Sequence, residues 1–456
     1  MFLDKPGDRD SRVLREAQTL RDAGHAVTLV ARQRPGEESA DVVPDRLGSL
    51  DVLRVPLPQR RPSVRSWIRL PHRFWSRAAY RVRTRHFPRA AALALAGLAV
   101  LPVAIVLRSV AAYGRLRPSS PNHDLVDWLV RWRFVVIGWN DVAARAAPPA
   151  DVFHGHDLTA LPAAALAARL HGARFVYDSH EVFMESGRNA TRPSWARRLF
   201  MRYERRLASD AAAVVTVNDA LAEVLARRLR PARIVVVHNT PPRTESAPPV
   251  DLLRAATGIA ADTPIALSHG GFSRHRGLEE LVLALLEPGM ERVHAVLMGY
   301  GGLEAELRDL AAEPRFGGRA HVLPAVPPSE LLAWVASAEV GVMAIHPTTL
   351  NHRLATPNKL FECLAAGVPV VAGDLPGMRT IILADPAAPL GELCDPTDPA
   401  SIAAAIRRIL DPPPAERAEL RARCLRAAHD RWNWETESAR LVELYEDLAS
   451  TAAPTG

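Results

Sequence analysis

Short β-branched apolar runs alternate with helical stretches along most of the chain, and the alternation starts afresh about halfway. His25–Val30, Asp151–His154, Ala173–Tyr177, Ala212–Val217 and Ile234–Val237 read as a first set of strands. Ile265–Ser268, Val293–Met298, His321–Leu323, Val340–Ala344 and Val368–Val371 read as a second. Strands separated by helices pair in parallel, in a sheet covered on both faces, so the class is α/β. Two doubly wound, Rossmann-like domains would face a cleft at the carboxyl ends of their strands, where such sheets bind ligands. Asp10 or Ser11 can cap a helix running to Ala23, with Gly24 closing it. A buried strand is wanted before that helix, yet only Met1–Leu3 are available; the expectation is a truncated strand or a start upstream of Met1.

At 456 residues the chain is long enough for two domains, each with its own core. The expected division is 1–238 for the first, 239–262 for a linker, 263–431 for the second, and 432–456 for a final helix opening at Trp432. Cys363, Cys394 and Cys424 are scattered without metal-type spacing, which points to a reducing compartment. Asp4, Lys5, Asp8 and Asp10 exclude the apolar core of a signal peptide. Net charge is +7, unevenly spread: an insertion at about 52–123 has fourteen arginines and no carboxylate, leaving −7 for the rest.

Pro357–Val371 is the segment richest in chemistry. Thr356 is placed to cap a helix with Pro357 at its first position, and Gly367 ends it before a buried strand. Lys359 and Glu362 share one face of the first turn. The helix opening offers N–H groups and partial positive charge, and Lys359 adds a full charge, a setting for a diphosphate. Glu362 can accept hydrogen bonds from the paired hydroxyls of a ribose. Upstream, Gly270 and Gly271 stand between a strand and the helix of Leu278–Leu286. They allow close backbone approach to phosphate, with Arg276 at the helix start. The two helix openings are expected to converge.

These segments resemble glycosyltransferase family 4, retaining enzymes of the GT-B fold. The resemblance implies a diphosphate contact for Lys359 and a ribose contact for Glu362, with Gly270, Gly271 and Arg276 completing the donor site. Many members carry a first glutamate eight positions earlier, for the transferred sugar; here that position is Leu354. Pro324–Pro327 resembles the loop that meets the nucleobase, at Val326, although a plain strand–helix connection fits it as well. His154-Gly155-His156-Asp157 resembles the His-x-His segment whose second histidine, His156, faces the sugar and is the expected catalytic residue. Two histidines two apart on a strand could also bind metal, but only Asp157 is nearby as a third ligand, so no metal or other cofactor is expected. The Tyr177–Glu181 segment also resembles the family's, without an assigned role. The Trp432–Glu435 opening resembles the final segment that packs back on the first domain.

Pro71–Phe87 can form a helix with Arg73, Arg77, Arg81 and Arg85 beside Phe74 and Trp75, and Ala90–Leu107 follows with eighteen uncharged residues. Basic aromatic helices of this kind lie on membrane surfaces, and eighteen residues barely span one. A single crossing would separate strands of one sheet, so residues about 60–107 are expected to lie in or re-enter an anionic membrane surface; a solvated helix plus a core helix is the alternative. A nucleic-acid role fits poorly beside so long an apolar run. The expected protein works at the cytoplasmic face of the cell membrane, moving a sugar from a nucleotide-diphosphate sugar to a lipid-linked or cell-envelope glycan acceptor. A nucleotide-sugar epimerase of the same fold and an inactive GT-B scaffold that binds glycan or a partner enzyme remain the rival readings.

Overall fold

The computed structural model describes residues 1–8, 10–37, 39–57, 125–243 and 251–450. The insertion read at about 52–123 therefore lies outside the described residues from 58 onward, as do residues 244–250 of the linker. The chain forms two compact units: Met1–Val215 with Arg228–Ile234 and the chain end from Leu448, and Thr216–Arg227 with Val235–Asp447.

The first unit carries most of an eight-stranded sheet in the order β3-β4-β2-β1-β5-β6-β7-β8. Its strands are β1 (Phe2–Leu3), β2 (Thr28–Arg32), β3 (Val43–Leu47), β4 (Leu50–Val55), β5 (Val152–His156), β6 (Arg174–Ser179), β7 (Ala213–Thr216) and β8 (Ile234–Val236). The first strand is short but central. Phe2 and Leu3 pair in parallel with Val30 and Ala31 on one side, and Phe2 with Gly155 on the other. Both side chains are buried, and the Phe2 ring stacks on Phe153 at 5.9 Å. The helix Ser11–Asp22 follows, with Asp10 as its cap accepting from the Val13 N–H. The β3–β4 hairpin is antiparallel and polar along its outer strand, a pair that the apolar pattern of the sequence does not reveal.

The second unit holds a six-stranded, all-parallel sheet in the order β11-β10-β9-β12-β13-β14. These are β9 (Ile265–Gly271), β10 (His294–Tyr300), β11 (Ala320–Pro324), β12 (Val340–Met343), β13 (Val370–Gly373) and β14 (Gly391–Cys394). Alternate residues feed separate cores. Ile265, Leu267, Val296, Met298, Met343, Val370 and Ala372 face one, while Ala266, Ala295, Leu297, Val340, Val342 and Val371 face the other. A strand buried on both faces needs apolar residues throughout, which is why these segments read as continuous runs. The helix Asn358–Ala365 supplies Leu360, Phe361, Cys363 and Leu364 to the first core. The helix Leu278–Ala284 supplies Leu278, Leu281 and Val282 to the second. The two helices thus cover opposite faces of the sheet.

The final helix, Trp434–Ser450, is hydrogen-bonded to the chain just beyond β8. Glu437 accepts from the His238 N–H at 3.0 Å, and the Trp434 N–H donates to the Pro241 carbonyl. Among the described residues no helix is long and apolar enough to cross a membrane.

Candidate active site

In the second unit β9 pairs with β10 on one side and β12 on the other, so its carboxyl end is the topological switch point of the sheet. The β9–β12 pairing covers only Val340↔Ala266 and Gly341↔Leu267. Beyond it the strands part, and the Lys359 side chain reaches the opening from the first turn of its helix. Its ammonium donates to Ser268 Oγ at 3.0 Å and to the Val342 carbonyl at 3.4 Å. Burial first, and repulsion from Arg276 second, lower its pKa to about 8.

Arg276 arrives from the other face. The loop after Gly271 crosses onto the end of β12, where the His346 N–H donates to the His275 carbonyl at 3.0 Å. Gly277, at φ +69°, lies so close that a Cβ there would sit 2.2 Å from the Ala344 carbonyl oxygen. Only glycine permits that approach. Arg276 is half-buried, with its pKa lowered by burial. Among the described residues it has no hydrogen-bond or ion-pair partner, and no carboxylate lies within ion-pair distance of Lys359 or Arg276. Two helices on opposite faces therefore bring two uncompensated cations to one crevice. Gly270, at φ +111°, and Gly271 form its exposed rim. Arg274 turns away to Glu306 at 3.2 Å.

Glu362 is one turn below Lys359, and its Oε2 lies 2.9 Å from His269 Nε2. His269 is buried at the end of β9, and its Nδ1 finds no partner. Val326 follows β11 and packs half-buried on the core that holds Leu360 and Phe361. One expectation is corrected. Pro357, not Thr356, is the N-cap, because the Thr356 hydroxyl instead donates to the Gly377 carbonyl at 3.0 Å. Leu354 is buried, and its carbonyl accepts from Asn218 Nδ2 at 2.9 Å. Around Arg276 stand three histidines that the sequence reading missed: His275 lies 5.8 Å from His346 and 6.5 Å from His352, centroid to centroid.

In the first unit, His156 ends β5, fully buried, its ring stacked on His154 at 4.4 Å. Asp178, at the end of β6, lies 3.2 Å from His156 Nδ1 and 2.8 Å from His180 Nε2, and accepts from Arg12 Nε and Nη2 at 3.3 Å each. Burial alone would raise the Asp178 pKa, but Arg12, His180 and the His156 bond hold it well below the usual carboxylate range. Burial lowers the His156 pKa, so the ring is neutral. A neutral ring beside an ionised Asp178 carries its proton on Nδ1, and Nε2 keeps a buried lone pair with no partner. Burial works against a charged His180 too, yet Asp178 and Asp157 raise its pKa well above the usual histidine value. Asp157, at φ +59°, lies 3.2 Å from His180 Nδ1 and 3.6 Å from Lys5. Arg12 also lies 2.9 Å from Glu16, whose carboxyl burial pushes upward. Arg12, Glu16 and the use made of Asp178 carry no local signal in the sequence; they meet only because β1, β5 and β6 are neighbours.

Residues 132–240 match the family model of a glycosyl transferase 4-like domain, and residues 263–412 that of glycosyl transferases group 1. A D-inositol 3-phosphate glycosyltransferase of Xylanimonas cellulosilytica is 32% identical over 209 residues, 45% of this chain and 48% of that protein. The match thus spans about half the length of that relative. Sucrose-phosphate synthase from Thermosynechococcus elongatus shares the fold at a TM-score of 0.64 and 17% identity, over 99% of this chain and 98% of that one. HepE of Anabaena, solved with UDP-glucose, has a TM-score of 0.53 at 18% identity, over 70% and 83%. The two matched domains and the relative make the chain a member of glycosyltransferase family 4, and the solved structures share its GT-B fold.

Proposed function

We propose that this protein is a retaining glycosyltransferase that takes a sugar from a nucleotide-diphosphate donor and passes it to a lipid-linked or cell-envelope glycan acceptor. The observation that carries the reading is the pair of uncompensated cations, Lys359 and Arg276, at the β9–β12 switch point. Two positive charges with no carboxylate within ion-pair distance are stabilised by a dianion, and a donor diphosphate is one. Gly270 and Gly271 leave the backbone open to its oxygens, Glu362 takes the ribose hydroxyls, and the chain at Val326 meets the base. The family resemblance implies a role at the transferred sugar for His156, whose ring is fully buried in the first unit. In a front-face displacement the anomeric carbon–phosphate oxygen bond breaks as the acceptor oxygen bonds to the same face. The acceptor proton passes to the leaving phosphate oxygen, whose charge Lys359 and Arg276 stabilise. No metal ion is required, since the two side-chain cations supply the charge.

The acceptor class and a place on the inner face of the membrane rest on the basic and apolar segment at about 60–107. UDP-sugars are the first donors to try, since HepE was solved with UDP-glucose. A panel of nucleotide sugars, assayed with membrane extracts as acceptor, tests the reading. Transfer by the wild type and its loss in Lys359→Ala and Glu362→Ala, with the fold intact, are expected. Full activity of either variant would overturn the site, and donor turnover with no acceptor present would indicate an epimerase.

A further inference from the structure

The helix Ser194–Ala208, between β6 and β7, is fixed to the first unit by its inward face. Ala196, Phe200 and Ala208 are buried there, and the Phe200 ring lies 4.5 Å from that of Trp128 and 4.8 Å from that of Trp132. Its one acid, Glu204, is buried on the same side and accepts from the Tyr177 hydroxyl at 2.7 Å. The outward face is different in kind. Trp195 and Leu199 are 49% and 53% exposed, one turn apart, and half-buried Tyr203 continues their line. Beside them run Arg198, Arg202, Arg205 and Arg206, all exposed and none with a hydrogen-bonding or carboxylate partner through its side chain among the described residues. At 100° per residue these side chains occupy one side of the helix: Arg198, Arg202 and Arg205 form a row beside Trp195, Leu199 and Tyr203, and Arg206 falls in line with the apolar row.

We propose that this face is a docking surface for an anionic lipid bilayer. Trp195 and Leu199 enter the interface, where tryptophan is most at home, and the arginines engage lipid phosphates. A nucleic acid would use the arginines but gain little from an exposed leucine beside them, whereas a bilayer meets the arginine row with phosphates and the apolar row with acyl chains. The helix lies outside the sequence segment at about 60–107, and its inner face is already packed.

Sedimentation of the full chain with phosphatidylglycerol vesicles, against phosphatidylcholine vesicles as control, tests this. Each arginine near an anionic surface is worth about 1 kcal/mol, or about fivefold in partitioning, so Arg198→Glu/Arg202→Glu should weaken binding more than twentyfold at low salt. Trp195→Ala/Leu199→Ser should weaken it several-fold with little change in salt dependence. A dye on Ser194→Cys should shift to the blue on phosphatidylglycerol alone. Unchanged nucleotide binding and melting temperature check that the variants fold. Charge reversal without effect, in a chain that still binds vesicles, would overturn the proposal while sparing the 60–107 reading. Failure of the wild type to bind would remove both. Equal binding to heparin, insensitive to Trp195→Ala/Leu199→Ser, would make the face a general polyanion site and overturn the lipid assignment.

Discussion

Donor binding should take up a proton, and Lys359 is the reason. Its ammonium is lowered from 10.5 to about 8, by burial and then by Arg276. At about 1.4 kcal/mol per pKa unit, the folded protein carries a penalty of about 3 kcal/mol for keeping this lysine charged. The unfolded chain binds the proton more tightly, so the penalty is complete below pH 8 and is relieved as pH rises toward 10.5. A dianionic diphosphate restores the ammonium. At pH 7 the lysine is already mostly charged and uptake is small; at pH 9 only about one in ten is charged, and binding takes up roughly 0.9 proton. Affinity should then fall about eightfold between pH 8.5 and 9.5. The diphosphate of a nucleotide sugar does not titrate there, and Cys363, the nearest thiol, is pushed upward out of range by burial. Calorimetry with UDP-glucose at pH 7, 8 and 9, in buffers of differing ionisation enthalpy, reads the proton count directly. Lys359→Arg should lack the lysine's uptake and keep only the titration of the ligand's own uracil N3–H, so the difference between the two proteins counts the Lys359 proton. A wild type with the same affinity at pH 7 and 9 and no buffer dependence would refute the reasoning.

Two further changes probe the groups beneath the site. His269→Ala leaves Glu362 without its 2.9 Å partner, so UDP should bind about tenfold more weakly and discrimination against 2′-deoxy-UDP should shrink; equal losses for both nucleotides would reduce His269 to a packing role. Asp178→Asn removes the anion shared by Arg12, His156 and His180, at a cost of about 3–5 kcal/mol, read as a lowered melting temperature at pH 7. Because the Asp178 pKa is depressed, its contribution is present above the unfolded carboxylate value and is lost as pH falls through the folded one. The melting curves of variant and wild type should therefore converge in acid, and parallel curves would contradict the pairing.

What could be read from the sequence was whatever depends on periodicity or on neighbours along the chain. The second sheet was legible because strands buried on both faces must be apolar throughout, and Lys359 with Glu362 because a helical turn fixes their spacing. The β3–β4 hairpin and β14 (Gly391–Cys394) were not read, since Pro44, Asp45, Arg46 and Glu392 break any apolar pattern at the edges of the sheets. Thr356 looked like a cap because threonine commonly is one; the Gly377 carbonyl, twenty-one residues on, decided otherwise. Ser268 and His269 stand in a strand that was recognised, yet their use depends on which helix lies over its end. The Arg12–Asp178 pair spans 166 residues, and only the strand order β1-β5-β6 brings it together.

The two units handle buried charge in opposite ways, and the contrast bears on what each can bind. In the first, Glu16, His154, His156 and Asp178 offer ligand atoms within 4.8 Å of one another, the composition of a metal site. But Arg12 already touches both carboxylates, and His180 adds a second positive charge against Asp178. A divalent ion there would sit beside a guanidinium in a low-dielectric interior, repelled by it and competing for the same oxygens. The cluster is neutralised internally, which suits it to fixing the orientation of His156. In the second unit the order is reversed: Lys359 rests on a hydroxyl and a carbonyl, and Arg276 on no charged or hydrogen-bonding group among the described residues. Half-buried cations left in that state are stabilised by an arriving anion, so the charge that the fold leaves unbalanced selects the class of ligand.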